Sequence, residues 1–193
     1  MPPRILIVDN FDSFTFNLYH YLLQGNVLAV DVVRNNEDLT QIAPNYDAIV
    51  LSPGPGLPHD AGNMPALIRE FAGKKPFLGV CLGHQALALH FGAQLENMDE
   101  VIHGRESNLF RVDFEDVIFR GLQSPVTVGR YHSWVVANKG FPTCLKVTSV
   151  DNKGLIMSYS HIYLPIFGVQ FHPESIMTNQ GLQMMKNWMD SIQ

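Results

Sequence analysis

Short apolar runs recur through the first half of the chain, separated by amphipathic stretches. Arg4–Asp9 (RILIVD) is continuous, β-branched and apolar, the pattern of a strand buried on both faces. Val27–Arg34, Ala48–Leu51 and Phe77–Val80 repeat it. Between these runs the apolar positions are spaced for helices. One starts from a cap at Asp12 or Ser13 and runs through Leu23, with Phe14, Leu18 and Leu22 on one face and Gly25–Asn26 as its stop. Others are predicted over Asn63–Ala72 and Gly83–Phe91. Strands alternating with helices imply a parallel sheet covered on both faces. The second half reads differently. Leu109–Asp113, Leu145–Val150, Met157–Ile162 and Phe167–Gln170 look like strands with little helix between them, so the sheet is expected to continue as a mixed, antiparallel extension. Gln180–Ser191 closes the chain as a helix with Leu182, Met185 and Met189 on one face. No repeat, linker or low-complexity tract appears. The expected fold is therefore one α/β domain over 1–193: an open, mostly parallel, doubly wound sheet with a mixed extension and flanking helices.

Composition narrows the partners. Hydrophobic residues make up 46% and charged residues 16%, which fits a packed core rather than a disordered chain. The net charge is −5 and no Lys/Arg run occurs, which argues against nucleic acid or an anionic membrane as partner. The opening MPPRILIVDN lacks the basic head and long apolar body of a signal peptide. No stretch approaches the ~18 apolar residues of a membrane span. The two cysteines, Cys81 and Cys144, are too few for a disulfide framework. A soluble, cytoplasmic protein is expected.

The sharpest chemical signal is Gly79-Val-Cys-Leu-Gly-His-Gln85, between an apolar strand and a helix. G-x-C-x-G is the cysteine form of the strand–turn–helix nucleophile elbow. The turn holds Cys81 in a strained conformation above the sheet, and its glycines admit close backbone approach. The new helix aims free N–H groups and its positive end at the thiolate. A buried cysteine is more often a small hydrophobe, and Cys144, in a context without glycines, keeps that reading. The elbow reverses it for Cys81.

A thiol needs a base. Among eight histidines, His172 stands out in Gly168-Val-Gln-Phe-His-Pro-Glu-Ser175. Pro173 favours an extended His172, so Glu174, two residues on, falls on the same side and reaches one imidazole nitrogen while the other faces the thiol. His20, His59, His90, His103 and His161 read as ordinary surface or turn residues, and His84 as packing against the sheet. No His/Cys/Asp/Glu set has metal-ligand spacing, so no metal is expected. Ser52-Pro-Gly-Pro-Gly56 follows the third strand on the carboxyl edge of the sheet, where open α/β folds place their sites. Its backbone N–H groups, with that of Leu82, suit a developing oxyanion.

Together, Gly79–Gln85 and Phe171-His-Pro-Glu-Ser175 resemble the class I (triad) glutamine amidotransferases. Asp9-Asn-Phe-Asp-Ser-Phe-Thr-Phe-Asn-Leu18, Leu51–Gly56 and Arg130-Tyr-His-Ser-Trp134 resemble the branch serving anthranilate synthase and aminodeoxychorismate synthase. The resemblance covers essentially the whole chain. It implies that Cys81 is the nucleophile, His172 the base and Glu174 its orienter. It implies that Gly54, Pro55 and Gly56 line the glutamine and oxyanion region, that Gln85 binds L-glutamine, and that the Ser133–Trp134 backbone holds the α-amino and carboxylate end. Trp134 stands where the family usually carries leucine. The implied partner is a chorismate-binding synthase subunit that receives the ammonia, with no cofactor in this chain and magnesium in the partner. The resemblance puts anthranilate synthase first and aminodeoxychorismate synthase as the alternative, and none of these motifs separates the two chorismate products. Two further readings stand beside this one: a cysteine peptidase or other acyl hydrolase on the same elbow, which the SPGPG loop and Gln85 disfavour, and a silent regulatory subunit, which the filled triad positions disfavour.

Overall fold

A computed structural model describes residues 1–192. In chain order the elements are β1 (Arg4–Asp9), α1 (Thr15–Leu22), β2 (Ala29–Arg34), α2 (Leu39–Ile42), β3 (Ala48–Leu51), α3 (Met64–Phe71), β4 (Phe77–Val80), α4 (Leu82–His90), β5 (Leu95–Asn108), β6 (Arg111–Val112), β7 (Thr127–Val136), β8 (Leu145–Val150), β9 (Ile156–His161), β10 (Ile166–Val169) and α5 (Gly181–Ser191). The main sheet runs β2-β1-β3-β4-β10-β9-β8-β6. Its first five strands are parallel, and β9, β8 and β6 extend it antiparallel. This is the mostly parallel α/β sheet with a mixed extension that the apolar pattern predicts.

Strand alternation explains why these strands read as continuous apolar runs. Ile5, Ile7, Val50, Leu78 and Val80 enter a core with Leu18 and Leu22 of α1 and Met184, Met185, Trp188 and Met189 of α5. Leu6, Val8, Ile49, Leu51 and Phe77 enter a second core with Leu67 and Ile68 of α3 and Leu87 of α4. Half-buried Cys144 packs at the edge of the second core.

Several boundaries and faces differ from expectation. Phe14 precedes α1 and does not join its core face; the residues buried there are Thr15, Leu18 and Leu22. On α5, Met185 and Met189 are buried as expected, but Leu182 is only half-buried and Met184 and Trp188 complete the buried face. The strand expected over Leu109–Asp113 shrinks to two residues. The largest departure is a long antiparallel ribbon, β5–β7, separate from the main sheet. His103–Ser107 lies inside β5, where a register shift between His103 and Arg105 coincides with positive-φ Gly104.

Candidate functional site

The site forms where β3, β4 and β10 end. Cys81 follows β4 and caps α4 with φ 51° and ψ −100°, one of two non-glycine residues with positive φ among those described. Such a backbone conformation is costly for an L-residue and persists only when its surroundings enforce it. The enforcement is visible. The Cys81 N–H donates to the Val169 carbonyl at 2.8 Å, and Gln85 N–H donates to the Cys81 carbonyl at 3.0 Å. A Cβ on Gly79 would sit 2.5 Å from the Gly83 carbonyl, and one on Gly83 would sit 2.5 Å from the Leu51 Cβ and carbonyl oxygen. The elbow closes only because both positions are glycine.

His172 lies just beyond β10. Its N–H donates to the Gly129 carbonyl at 3.0 Å, and its carbonyl accepts from Thr178 Oγ1 at 2.6 Å, while Thr178 Oγ1 accepts from the Gly129 N–H at 3.0 Å. The ring is flanked by Phe14 and Tyr131, with centroids at 5.8 and 4.8 Å. Phe14 therefore serves the imidazole instead of the α1 core face. His172 Nδ1 meets Glu174 Oε1 at 2.7 Å, both side chains being almost fully buried. Burial alone pushes the imidazolium down, but the Glu174 carboxylate and the Cys81 thiol outweigh it and hold the His172 pKa well above its ordinary value. Nε2 is buried and makes no hydrogen bond of standard geometry with the described residues. It is the ring nitrogen available for proton traffic with Cys81; such bonds often tighten only around substrate.

A cleft of about 190 Å³ opens over Cys81. Gly54, Pro55, Gly56, Leu82, Gln85, Ser133 and Trp134, all predicted for substrate binding, line it. Val101, Ile102, His103, Tyr131 and His132 complete its wall from β5 and β7. His103, read as an ordinary surface histidine, thus faces the cleft and packs its ring on Tyr131 at 5.7 Å. The Ser52–Gly56 loop is pinned from β1. Asn10 N–H donates to Ser52 Oγ, and Asn10 Nδ2 to the Ser52 carbonyl, each at 2.9 Å. Asn35 Nδ2 donates to Asn10 Oδ1 at 2.9 Å. A Cβ on Gly54 would fall 2.5 Å from the Asn10 Cβ. The loops are therefore poor in regular backbone pairing yet tied by side chains. In α4, the N–H of Leu82 belongs to the first turn, which has no intrahelical acceptor.

A buried polar chain supports the cleft. Arg130 Nη1 pairs with Asp151 Oδ2 at 2.8 Å, both almost fully buried. Arg130 Nε donates to His132 Nε2 at 3.1 Å, and His132 Nδ1 lies 3.1 Å from the Trp134 carbonyl. Burial, with the Arg130 charge, lowers the His132 pKa to about 3, so the ring is neutral with its proton on Nδ1. Gln85 Nε2 also donates to the Trp134 carbonyl, at 2.9 Å. Trp134 contributes this carbonyl whatever its side chain, which stays half-exposed at the cleft wall. His84 packs against the sheet, its ring 4.7 Å from that of Tyr159, and burial lowers its pKa to about 3. Among the described residues no group of three or more His, Cys, Asp or Glu side chains is placed to hold a metal ion, and no helix is long and apolar enough to cross a membrane.

Comparison with known proteins agrees with this geometry. The family profile described as glutamine amidotransferase class-I matches residues 6–192. The chain is 44% identical to anthranilate synthase component 2 of Mycobacterium tuberculosis over 96% of its own length and 81% of that protein's. It is also 44% identical to aminodeoxychorismate synthase component 2 of Serratia marcescens, covering 96% of this chain and 99% of that one. The crystal structure of a putative GMP synthase protein from Thermoplasma acidophilum superimposes with a TM-score of 0.87 at 26% identity, over 100% of this chain and 94% of that one.

Proposed function

The chain belongs to the class-I glutamine amidotransferases, and from that premise we propose that it is the glutaminase subunit of a chorismate-using synthase, anthranilate synthase first. The observation that carries the chemistry is the thiol at a positive-φ elbow with a buried imidazole paired to a carboxylate at 2.7 Å. Cys81 Sγ loses its proton to His172 Nε2 and attacks the side-chain amide carbon of L-glutamine. The oxyanion is met by the Leu82 N–H and the Gly54–Gly56 backbone, the kind of donor whose loss costs about 10²–10³ in rate. His172 returns the proton to the leaving nitrogen, and ammonia departs from a γ-glutamyl thioester. Water, deprotonated by the same imidazole, attacks the thioester carbon; Sγ leaves and glutamate is released. In Gln85, both Nε2 hydrogens are committed to the Trp134 carbonyl and to Gln170 Oε1. Its Oε1 is left as the atom suited to accept from the substrate's ammonium group. Glu174 keeps the proton on Nδ1 and stabilises the imidazolium.

Ammonia is a nucleophile only while unprotonated, so the receiving subunit must dock over this cleft. The chorismate site and any magnesium it needs belong to that subunit, and the complex works in the cytoplasm. The equal identity to an aminodeoxychorismate synthase component supports a second product on the same glutaminase. The test is glutamate release from glutamine with anthranilate or aminodeoxychorismate formation, using each synthase subunit in turn. Cys81→Ala should abolish glutamine-dependent synthesis and spare ammonia-dependent synthesis. Wild-type glutamine-dependent rates in that variant would overturn the assignment.

A further inference from the structure

The carboxamide of Gln170 touches the sulfur of Cys81, and no step above uses it. Gln170 is fully buried and follows β10. The parallel register of β10 against β4 sets Val169 opposite Val80, so Cys81 and Gln170 emerge side by side. Side chains alternate along the extended chain: Phe167, Val169 and Phe171 enter the core under α5, which turns Gln170 and His172 together to the other face. Gln170 Nε2 lies 3.5 Å from Cys81 Sγ.

The sense of the amide follows from its neighbours. The Trp134 backbone carbonyl can only accept, so the Gln85 atom 2.9 Å from it is Nε2. That same Nε2 lies 3.1 Å from the other end of the Gln170 carboxamide, which must therefore be Oε1. The nitrogen of Gln170 is left facing sulfur. A donor in this place is matched to the anion, since a thiol is a weak acceptor and a charged acceptor forms the stronger bond.

We propose that Gln170 is a further catalytic residue of this reaction: a hydrogen-bond donor to the Cys81 thiolate, oriented by Gln85, that aims Sγ and favours its anionic form. The proposal rests on the reading of Cys81 as the nucleophile. Gln170 keeps its own protons throughout; the proton from Sγ goes to His172. When the thioester forms, the sulfur loses its charge and the bond weakens. When the thioester breaks, the departing thiolate regains it. Gln85 thereby serves both the substrate and, through Gln170, the nucleophile.

Two variants of the full chain test this. Gln170→Glu keeps the size and the acceptor for Gln85 but replaces the donor with an anion. Gln170→Met removes both polar ends at similar volume. The readouts are the pH dependence of Cys81 alkylation by iodoacetamide, resolved from Cys144 by peptide mass spectrometry, and kcat and KM for glutamine with the synthase subunit. Thermal melts report folding. The alkylation midpoint should rise by about one pH unit in Gln170→Met, a tenfold drop in thiolate fraction at a given pH, and further in Gln170→Glu. The kcat should fall about tenfold with KM little changed. A folded variant with the wild-type midpoint and kcat, or one whose melting temperature drops while its midpoint stays fixed, would overturn the proposal. If Gln170→Met fails to fold, Gln170→Glu decides alone. Absence of glutamate release by the wild-type complex would sink the glutaminase reading instead, whereas the alkylation profile needs no substrate and still judges Gln170.

Discussion

Replacing Glu174 by glutamine isolates what its charge does. The carboxylate lies 2.7 Å from His172 Nδ1, with both side chains almost fully buried, so solvent screening is weak. A hydrogen bond to a charged partner contributes about 1.5–3 kcal/mol. At about 1.4 kcal/mol per decade, its loss lowers kcat/KM for glutamine by roughly 10- to 150-fold. A carboxamide that turns its NH₂ toward Nδ1 would push the proton onto Nε2 and deepen the loss, because Nε2 must accept from the thiol. The same change carries a stability signature. The His172 pKa is raised well above its ordinary value, through Glu174 and Cys81 acting against burial. Its contribution to folding is fully present below the unfolded pKa of about 6.5 and is lost as pH rises through the folded pKa. The gap in unfolding free energy between wild type and Glu174→Gln should therefore be widest near pH 6 and close at alkaline pH. Urea unfolding across pH, with steady-state glutaminase assays on the complex, measures both. A variant within twofold of wild type in kcat/KM, or a gap that widens with rising pH, would refute the assigned pairing.

Gly83→Ala should destabilise the chain by about 1–3 kcal/mol and open the elbow, because the added methyl meets Leu51 backbone at 2.5 Å; thermal melts and glutamine turnover report the two effects. Asp151→Asn leaves the Arg130 charge buried without its partner, so urea unfolding should show a loss of about 3–5 kcal/mol; a loss under about 1 kcal/mol would show that the pair is dispensable. Saturating synthase with chorismate should raise glutaminase turnover about 5- to 150-fold over the isolated chain, a coupling of about 1–3 kcal/mol. Phe14 offers the route, since it joins the loop after β1 to the His172 ring; equal turnover in both conditions would exclude activation.

What the sequence revealed of the fold depended on where polar residues sit. In β1, β3 and β4 every position from Ile5 to Val8, Ala48 to Leu51 and Phe77 to Val80 is buried, and such runs announce themselves. The β5–β7 ribbon carries the opposite signal. In β5, LENMDEVIHGRESN is largely wet and interrupted by a glycine, so no two-residue alternation survives. In β7, Arg130 and His132 are buried where an apolar residue would be expected. They are held there by Asp151 on Arg130 Nη1 and by the Trp134 carbonyl beside His132 Nδ1, and those partners are distant in sequence or in the backbone.

The same reasoning separates the legible part of the site from the rest. Cys81, His172 and Glu174 are marked by local constraints: glycines on either side of the nucleophile, and a proline between base and carboxylate. Those constraints act within a few residues, so the spacing alone carries them. Gln170 and His132 have no such local mark, because each is defined by a contact across the fold. Their one legible trait is incongruity. A carboxamide between Val169 and Phe171, or an arginine and a histidine alternating toward the inside of a strand, would be expelled to water unless something inside held it. In this chain the holders form a continuous line of hydrogen bonds from Asp151 through Arg130, His132, Trp134, Gln85 and Gln170 to the sulfur of Cys81. Polar residues in otherwise apolar strands are therefore the positions from which to search for the supports of a nucleophile, and Gln170 is the one among them that reaches the reacting atom.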